Sequence, residues 1–260
     1  MGTRFLENLV WVAASFLVFG GAAEIAGRSG LFNTSFIPLP SDVVRVLVEQ
    51  LFRYDIQSAI ISTLLGWAVG MALATVAGIA FGITLARSRW LGALTRAPRE
   101  FLRPVPPIIL LPLVVLLLGP TNEMKIVLVF LGAFWPILYQ TAYGVREIDP
   151  VMLDTALIFR IGHANVLRHI VVPSVLPLVI TGIRLAAGIA FVVSVVTELV
   201  GSAPGIGREL ISAQSSGNYV EMYALIAIAG LLGLLVNGLV SMLEARILYW
   251  HPSQREKVAA

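Results

Sequence analysis

The sequence predicts an all-α, polytopic membrane protein. Two observations carry that expectation. Hydrophobic residues make up 58% of the 260 and charged residues only 13%, about half the share of an average soluble domain. The mean hydropathy is +0.89, more apolar side chain than a soluble globule of this size can hide, so lipid must solvate part of it. Six apolar stretches, read as membrane-crossing helices, account for this surplus.

The first stretch covers about 9–25, follows Arg4 and meets no charge before Glu24. Gly20-Gly21-Ala22-Ala23 has the small character of a cleavage site, but five further stretches make an uncleaved first span the simpler reading. Next comes an extended strap, Phe36-Ile37-Pro38-Leu39-Pro40, because each proline disfavours helix at the residue before it. Ser41 then reads as an N-cap with Asp42 in the first turn. Over 41–53, Val44, Leu47, Val48 and Leu51 share one face, and Asp42, Arg45, Glu49 and Arg53 the other. This is either an amphipathic surface helix on the outer side or an extension of the second span.

The second span covers about 59–86, and its Gly66, Gly70, Gly78 and Gly82 form small-xxx-small pairs that allow close helix approach in lipid. The third, about 104–119, opens on Pro104-Val105-Pro106-Pro107 and is short at roughly 24 Å. Its Pro112 is expected to kink it. The fourth covers about 124–145 with Pro136 inside, the fifth about 173–200, and the sixth about 223–250. With both termini inside, twelve Arg and Lys fall on the inner side and five (Arg28, Arg45, Arg53, Lys125 and Arg208) on the outer side. That asymmetry fits an even number of spans and accounts for the basic charge without nucleic acid as a partner.

Several chemistries are excluded. The chain has no cysteine, so it carries no disulfide, thiol nucleophile or Cys-ligated metal. The only lysines, Lys125 and Lys257, do not follow glycine, so there is no P-loop. His163, His169 and His251 show no metal-ligand spacing, so no metal site is expected. The chain is not expected to be an enzyme; any uphill transport must draw on a partner or on an ion gradient. An ion-gradient carrier is the alternative reading, although related halves with interrupted helices are not visible.

The inner loop at 145–172 is longer than a bundle connection requires. Asp149 is a good N-cap and Pro150 a good first helical residue for a helix reaching about Phe159, with Gly162 expected to break it. A second short helix is expected over 165–170, before Pro173. The apolar side chains of this bracket either dock another protein or fold back on their own bundle.

The run Asp154-Thr155-Ala156-Leu157-Ile158-Phe159-Arg160-Ile161-Gly162, continuing to Ile170-Val171-Val172-Pro173, resembles the EAA loop of ABC importer permeases. The surroundings resemble the nitrate/sulfonate/taurine-type subfamily. These are the prolines at 104–107 with Leu111-Pro112, Gly132-Ala133-Phe134-Trp135-Pro136, Gly182-Ile183-Arg184, Glu198, Gly205-Ile206-Gly207 and the strap from Phe36 to Val43. Two positions depart from the pattern. Thr155 replaces an alanine, and Arg160 stands where the family has glycine, which moves the expected turn towards Gly162.

The resemblance implies a permease subunit in a bacterial inner membrane. It implies a second permease copy (a homodimer), two ABC ATPase subunits that hold ATP and Mg²⁺, and an extracytoplasmic solute-binding protein. No cofactor is expected on this chain. Asp154, Thr155, Ala156, Phe159, Arg160, Gly162 and Pro173 would form the ATPase-coupling loop, and Gly205 and Gly207 an outer loop facing the binding protein. Two ionisable residues lie within the fifth span. Glu198 is a candidate for the outer gate or for binding-protein contact, against a plain interfacial glutamate. Arg184 reads as a brace between helix ends rather than a solute contact. A small anion such as a sulfonate, nitrate or bicarbonate, or a vitamin precursor, would be the solute.

Overall fold

The computed structural model describes the backbone of residues 2–250 and the side chains within it, except those of residues 2–10, 12, 13 and 16. Three of the twelve inner-side charges counted above lie outside what is described: the side chain of Arg4, and residues Arg255 and Lys257. Those described form helices and connecting loops, with no strand.

Helix α1 (Gly2–Arg28) leads to α2 (Pro40–Leu51). Ser41 does not cap α2. Leu39 occupies the N-cap position and offers no side-chain acceptor. Glu24 of α1 substitutes for the cap, accepting from the Ser41 amide at 3.1 Å and from its hydroxyl at 2.9 Å, while pairing with Arg28. Glu24 therefore fixes the α1–α2 corner.

Of the two readings for 41–53, the separate helix is found. Phe52 and Arg53 break the chain before α3 (Tyr54–Arg87). Gln50 and Arg53 both donate to Glu221 Oε1, at 2.8 and 3.0 Å, tying α2 to the start of α12 (Tyr219–Ile247). Arg53 also pairs with Asp55, and that hydrogen bond, ahead of the two carboxylate charges, raises the guanidinium further above its ordinary pKa.

The glycine pattern of α3 meets α7 (Asn122–Arg146) at a constant register. Gly66 lies against Lys125, Gly70 against Val129, Gly78 against Ile137 and Gly82 against Thr141. Both partners advance together along the chain, so α3 and α7 run parallel. Ser62 reaches Asn122 at one end of this seam, and Arg146 reaches the Leu85 carbonyl at the other. The chain from Ser88 to Thr121 must therefore return along α3 for roughly 35 Å, about the thickness of a hydrocarbon core.

That return is a broken crossing. Helices α4 (Arg89–Leu94) and α5 (Arg96–Leu102) precede a 3₁₀ turn (Pro107–Leu110) and α6 (Leu111–Leu118), with an 88° bend between α5 and the segment after it. Pro112 does not kink the interior of a span. It sits in the first turn of α6, where the missing amide has no intrahelical partner to lose. Gly119, at φ +68°, ends α6, and Thr121 caps α7.

Helix α10 (Val172–Gly201) runs antiparallel to α7: Gly201 meets Met124, Gly132 meets Val193, and Gly144 meets Leu178. Helix α12 runs antiparallel to α10, as Gly233 against Phe191 and Glu244 against Arg184 show. Ala74, Met124, Leu128, Ala133, Ile137, Ala186 and Ala190 form the core where α3, α7 and α10 meet. Among the described residues four helices are long and apolar enough to cross a membrane, or five if the bent pair is one span. Helix α1 is about 40 Å long, but many of its side chains lie outside the described ones, so this count does not extend to it.

Candidate functional site

The two ends of the bundle differ in chemistry. At the end where α7 finishes, Asp149 accepts from the Val151 amide at 2.9 Å and Pro150 begins α8 (Pro150–Ile158). Both features follow from sequence, since a short acidic acceptor and a residue lacking N–H suit a helix start.

The end of α8 differs from expectation. Arg160 takes the left-handed conformation, at φ +52°, while Gly162 sits at φ −59° and N-caps the next helix. The Ile161 amide bonds the Ala156 carbonyl at 2.9 Å and the Arg160 amide bonds that of Leu157 at 3.0 Å. This 6→1 and 5→2 pair is a Schellman motif. The break therefore falls at Arg160, where the family pattern has glycine, and not at Gly162.

The second short helix is not separate either. The single helical turn α9 (His163–Val166) runs into a π turn (Leu167–Val171) and on into α10 without a gap. The Val172 amide bonds the Leu167 carbonyl five residues back. This widened turn lets the helix pass Pro173, which has no amide to offer. From His163 to Gly201 the chain is thus one unbroken helical run.

Only Ala156 of α8 is buried. Leu157, Ile158 and Phe159 are 79%, 76% and 74% exposed, and Val151, Met152, Asp154, Thr155, Arg160 and Ile161 are also exposed. Helix α8 has no extensive contact with the rest of the bundle. Of the two readings of the bracket, folding back on its own bundle is therefore not what is observed.

At the opposite end lies a polar centre that sequence reasoning missed. Lys125, counted above as an outer-loop charge, is wholly buried one turn into α7. Its Nζ donates to Glu198 Oε1 at 2.9 Å, to the Pro204 carbonyl at 2.7 Å and to the Ser62 carbonyl at 2.9 Å. Glu198 is equally buried. Its Oε2 accepts from the Gly207 amide at 3.0 Å and lies 3.0 Å from Thr63 Oγ1, which in turn accepts from the Ile206 amide. All three ammonium protons and both carboxylate oxygens are engaged, as a buried ion pair requires.

Glycines make room for this centre. A Cβ on Gly66 would overlap the Lys125 side chain, and one on Gly205, at φ +150°, would overlap the Glu198 carboxylate. Glu198 is thus enclosed by the bundle and not exposed at its end. Gly205 and Gly207 are buried against it, leaving their neighbours Ser202 and Arg208 at the surface. Together these groups clamp α11 (Ile206–Ser215) and the loop before it onto α3, α7 and α10. One signal was available in the sequence: an isolated lysine inside an apolar span calls for a carboxylate on another span.

Arg184 pairs with Glu244 at 2.9 Å, joining α10 to α12 towards the bracket end. Trp67 Nε1 donates to the Ala187 carbonyl at 3.1 Å, and Trp135 packs with Phe134 and Tyr139.

Residues 78–249 match the model of a family described as binding-protein-dependent transport system inner membrane component. A putative aliphatic sulfonates transport permease protein, SsuC of Bacillus subtilis (strain 168), is 29% identical over 234 residues, 88% of this chain and 83% of that protein. The nitrate import permease protein NrtB of Leptolyngbya laminosa is 31% identical over 180 residues, 69% of this chain and 64% of that protein. Among solved structures, a chain of the inward-facing MetNI methionine ABC transporter has a similar fold. Its TM-score is 0.63 at 19% identity, covering 75% of this chain and 96% of that one.

Proposed function

Because the chain belongs to the family of binding-protein-dependent transport system inner membrane components, and so is a permease of the ABC importer class, we propose that α8 is the element on which separate ATPase subunits act. The exposed Leu157, Ile158 and Phe159 carry this reading. They form an apolar knob on a capped helix that stands away from its own bundle and is joined by the Schellman turn to α9, which runs through the π turn into α10. A partner gripping α8 would move α10 as a rigid body, and α10 packs on α3, α7 and α12.

The chain offers no P-loop, so ATP and Mg²⁺ are held by two ATPase partners. A second copy of the permease completes the pathway, and a solute-binding protein docks at the end bearing α2 and α11. In this arrangement α1 supplies the sixth crossing, and both termini lie with α8 on the cytoplasmic side of a bacterial inner membrane. Sulfonate and nitrate in the names of the relatives support a small anion as solute.

The absence of cysteine makes the test clean. Phe159→Cys, on the knob, should crosslink to a co-expressed ATPase subunit, whereas Ser202→Cys, at the opposite end, should not. Equal crosslinking at both positions, or ATP-driven uptake unchanged in Phe159→Asp, would overturn the assignment.

A further inference from the structure

We propose that the α4–α5 corner holds the phosphate headgroup of an anionic phospholipid. A cavity of ≈ 530 Å³ opens there, between the end of α3, the last turn of α7 and the two short helices. Arg89, Arg96, Arg99 and Arg146 line it, with Glu100 as the one acid. The volume lies within the range of small-molecule sites and has room for a phospholipid headgroup, and guanidinium forks match phosphate oxygens two at a time.

The four arginines are not equally committed. Arg99 is held in place, donating to the Gly92 carbonyl at 3.0 Å and to Thr95. Arg96 is paired with Glu100 at 3.0 Å. Arg146 makes one long contact, 3.4 Å, to the Leu85 carbonyl. Arg89 has no hydrogen-bond or ion-pair partner among the described residues. Two largely unspent guanidinium groups thus share a cavity with a third that is already oriented.

The surroundings select a lipid over a free anion. Trp90, Leu94 and Phe101 are 71%, 60% and 75% exposed on the same two short helices. An indole and a phenyl ring beside arginines, at the level where spans end, suit the headgroup–acyl boundary. A lipid would place its phosphate in the cavity and its chains along this apolar fringe. Basic pockets between spans near the anionic leaflet act in this way.

The test is lipid titration of the full-length chain in neutral detergent, followed by native mass spectrometry. Phosphatidylglycerol should bind in preference to phosphatidylcholine, and excess inorganic phosphate should leave it in place. Arg89→Gln should weaken phosphatidylglycerol binding about fivefold, and Arg89→Gln with Arg146→Gln roughly tenfold or more, from the usual contribution of one basic side chain near an anionic surface. Arg45→Gln, on α2 at the other end, should change nothing. Since no fold contact depends on Arg89, the single variant reads the site even if the double variant is unstable. Equal binding of the two lipids, unchanged binding in Arg89→Gln, or displacement by phosphate would each overturn the proposal.

Discussion

Lys125 Nζ lies 2.9 Å from Glu198 Oε1, and neither side chain reaches the surface. Removing one partner leaves the other charge buried without compensation, which costs about 3–5 kcal/mol, whereas replacing both by apolar groups of similar volume is often close to neutral. Lys125→Met and Glu198→Gln should each strongly lower the melting temperature of the detergent-purified protein. The pair Lys125→Met with Glu198→Leu should recover much of the loss. Single variants as stable as the wild type would show that the centre does not hold α11 to the bundle.

The glycine seam predicts a graded result. Alanine at Gly78 would put its Cβ 2.8 Å from Ile137 Cγ2, and at Gly82 2.7 Å from Thr141 Cβ. Overpacking of this kind costs about 1–3 kcal/mol. Gly78→Ala and Gly82→Ala should therefore reduce the yield of monodisperse protein, while Gly188→Ala and Gly230→Ala, with open space around the added methyl group, should not. At Gly66 the obstruction is the Lys125 side chain itself, so Gly66→Ala should be much less damaging in a Lys125→Ala background. Size-exclusion profiles of the two backgrounds would measure that coupling.

What the sequence made legible here was local. The apolar stretches, the Asp149–Pro150 helix start and the small-xxx-small spacing of Gly66, Gly70, Gly78 and Gly82 all depend on neighbours within a few turns. The Lys125–Glu198 pair depends on a rotation of α7 and α10 that brings together residues 73 apart, and periodicity fixes a face without naming its partner. Composition counted Lys125 as a loop charge because it lies near a span end. The parallel run of α3 and α7 resolves the short third stretch in the same way: its length alone suggests an incomplete crossing, and only the register of its neighbours requires it to return across the layer.

Arg184 and Glu244 offer a contrast with the buried centre. Arg184 keeps 44% of its side chain exposed against 13% for Glu244, and exposed pairs contribute about 0–1 kcal/mol. Arg184→Gln should therefore shift the melting temperature far less than Lys125→Met. If Arg184 instead touches an anionic solute, the same variant raises the KM for uptake with stability unchanged, and Arg184→Lys recovers part of it. Uptake kinetics and melting curves on one preparation separate the two roles.

The Schellman turn of α8 makes the least intuitive prediction. Residue 160 must adopt positive φ for the Ile161 and Arg160 amides to reach the Ala156 and Leu157 carbonyls. A residue with a Cβ bears a cost of about 1–2 kcal/mol in that conformation. Arg160→Gly removes that cost, and the greater freedom of the unfolded glycine offsets part of the gain. The variant should be as stable as the wild type or more so, by on the order of 1 kcal/mol. Gly162 has an ordinary φ and no atom within 4 Å of a Cβ position. Gly162→Ala should thus be silent in both stability and uptake, although a reading from sequence spacing would have it break the bracket. Arg160→Pro should be severe, because its fixed negative φ cannot make the turn. Hydrogen exchange at the Ile161 amide would report the turn directly: protection should persist in Arg160→Gly and Gly162→Ala and vanish in Arg160→Pro. Loss of protection in Gly162→Ala would mean that the helix ends two residues later than the hydrogen bonds place it.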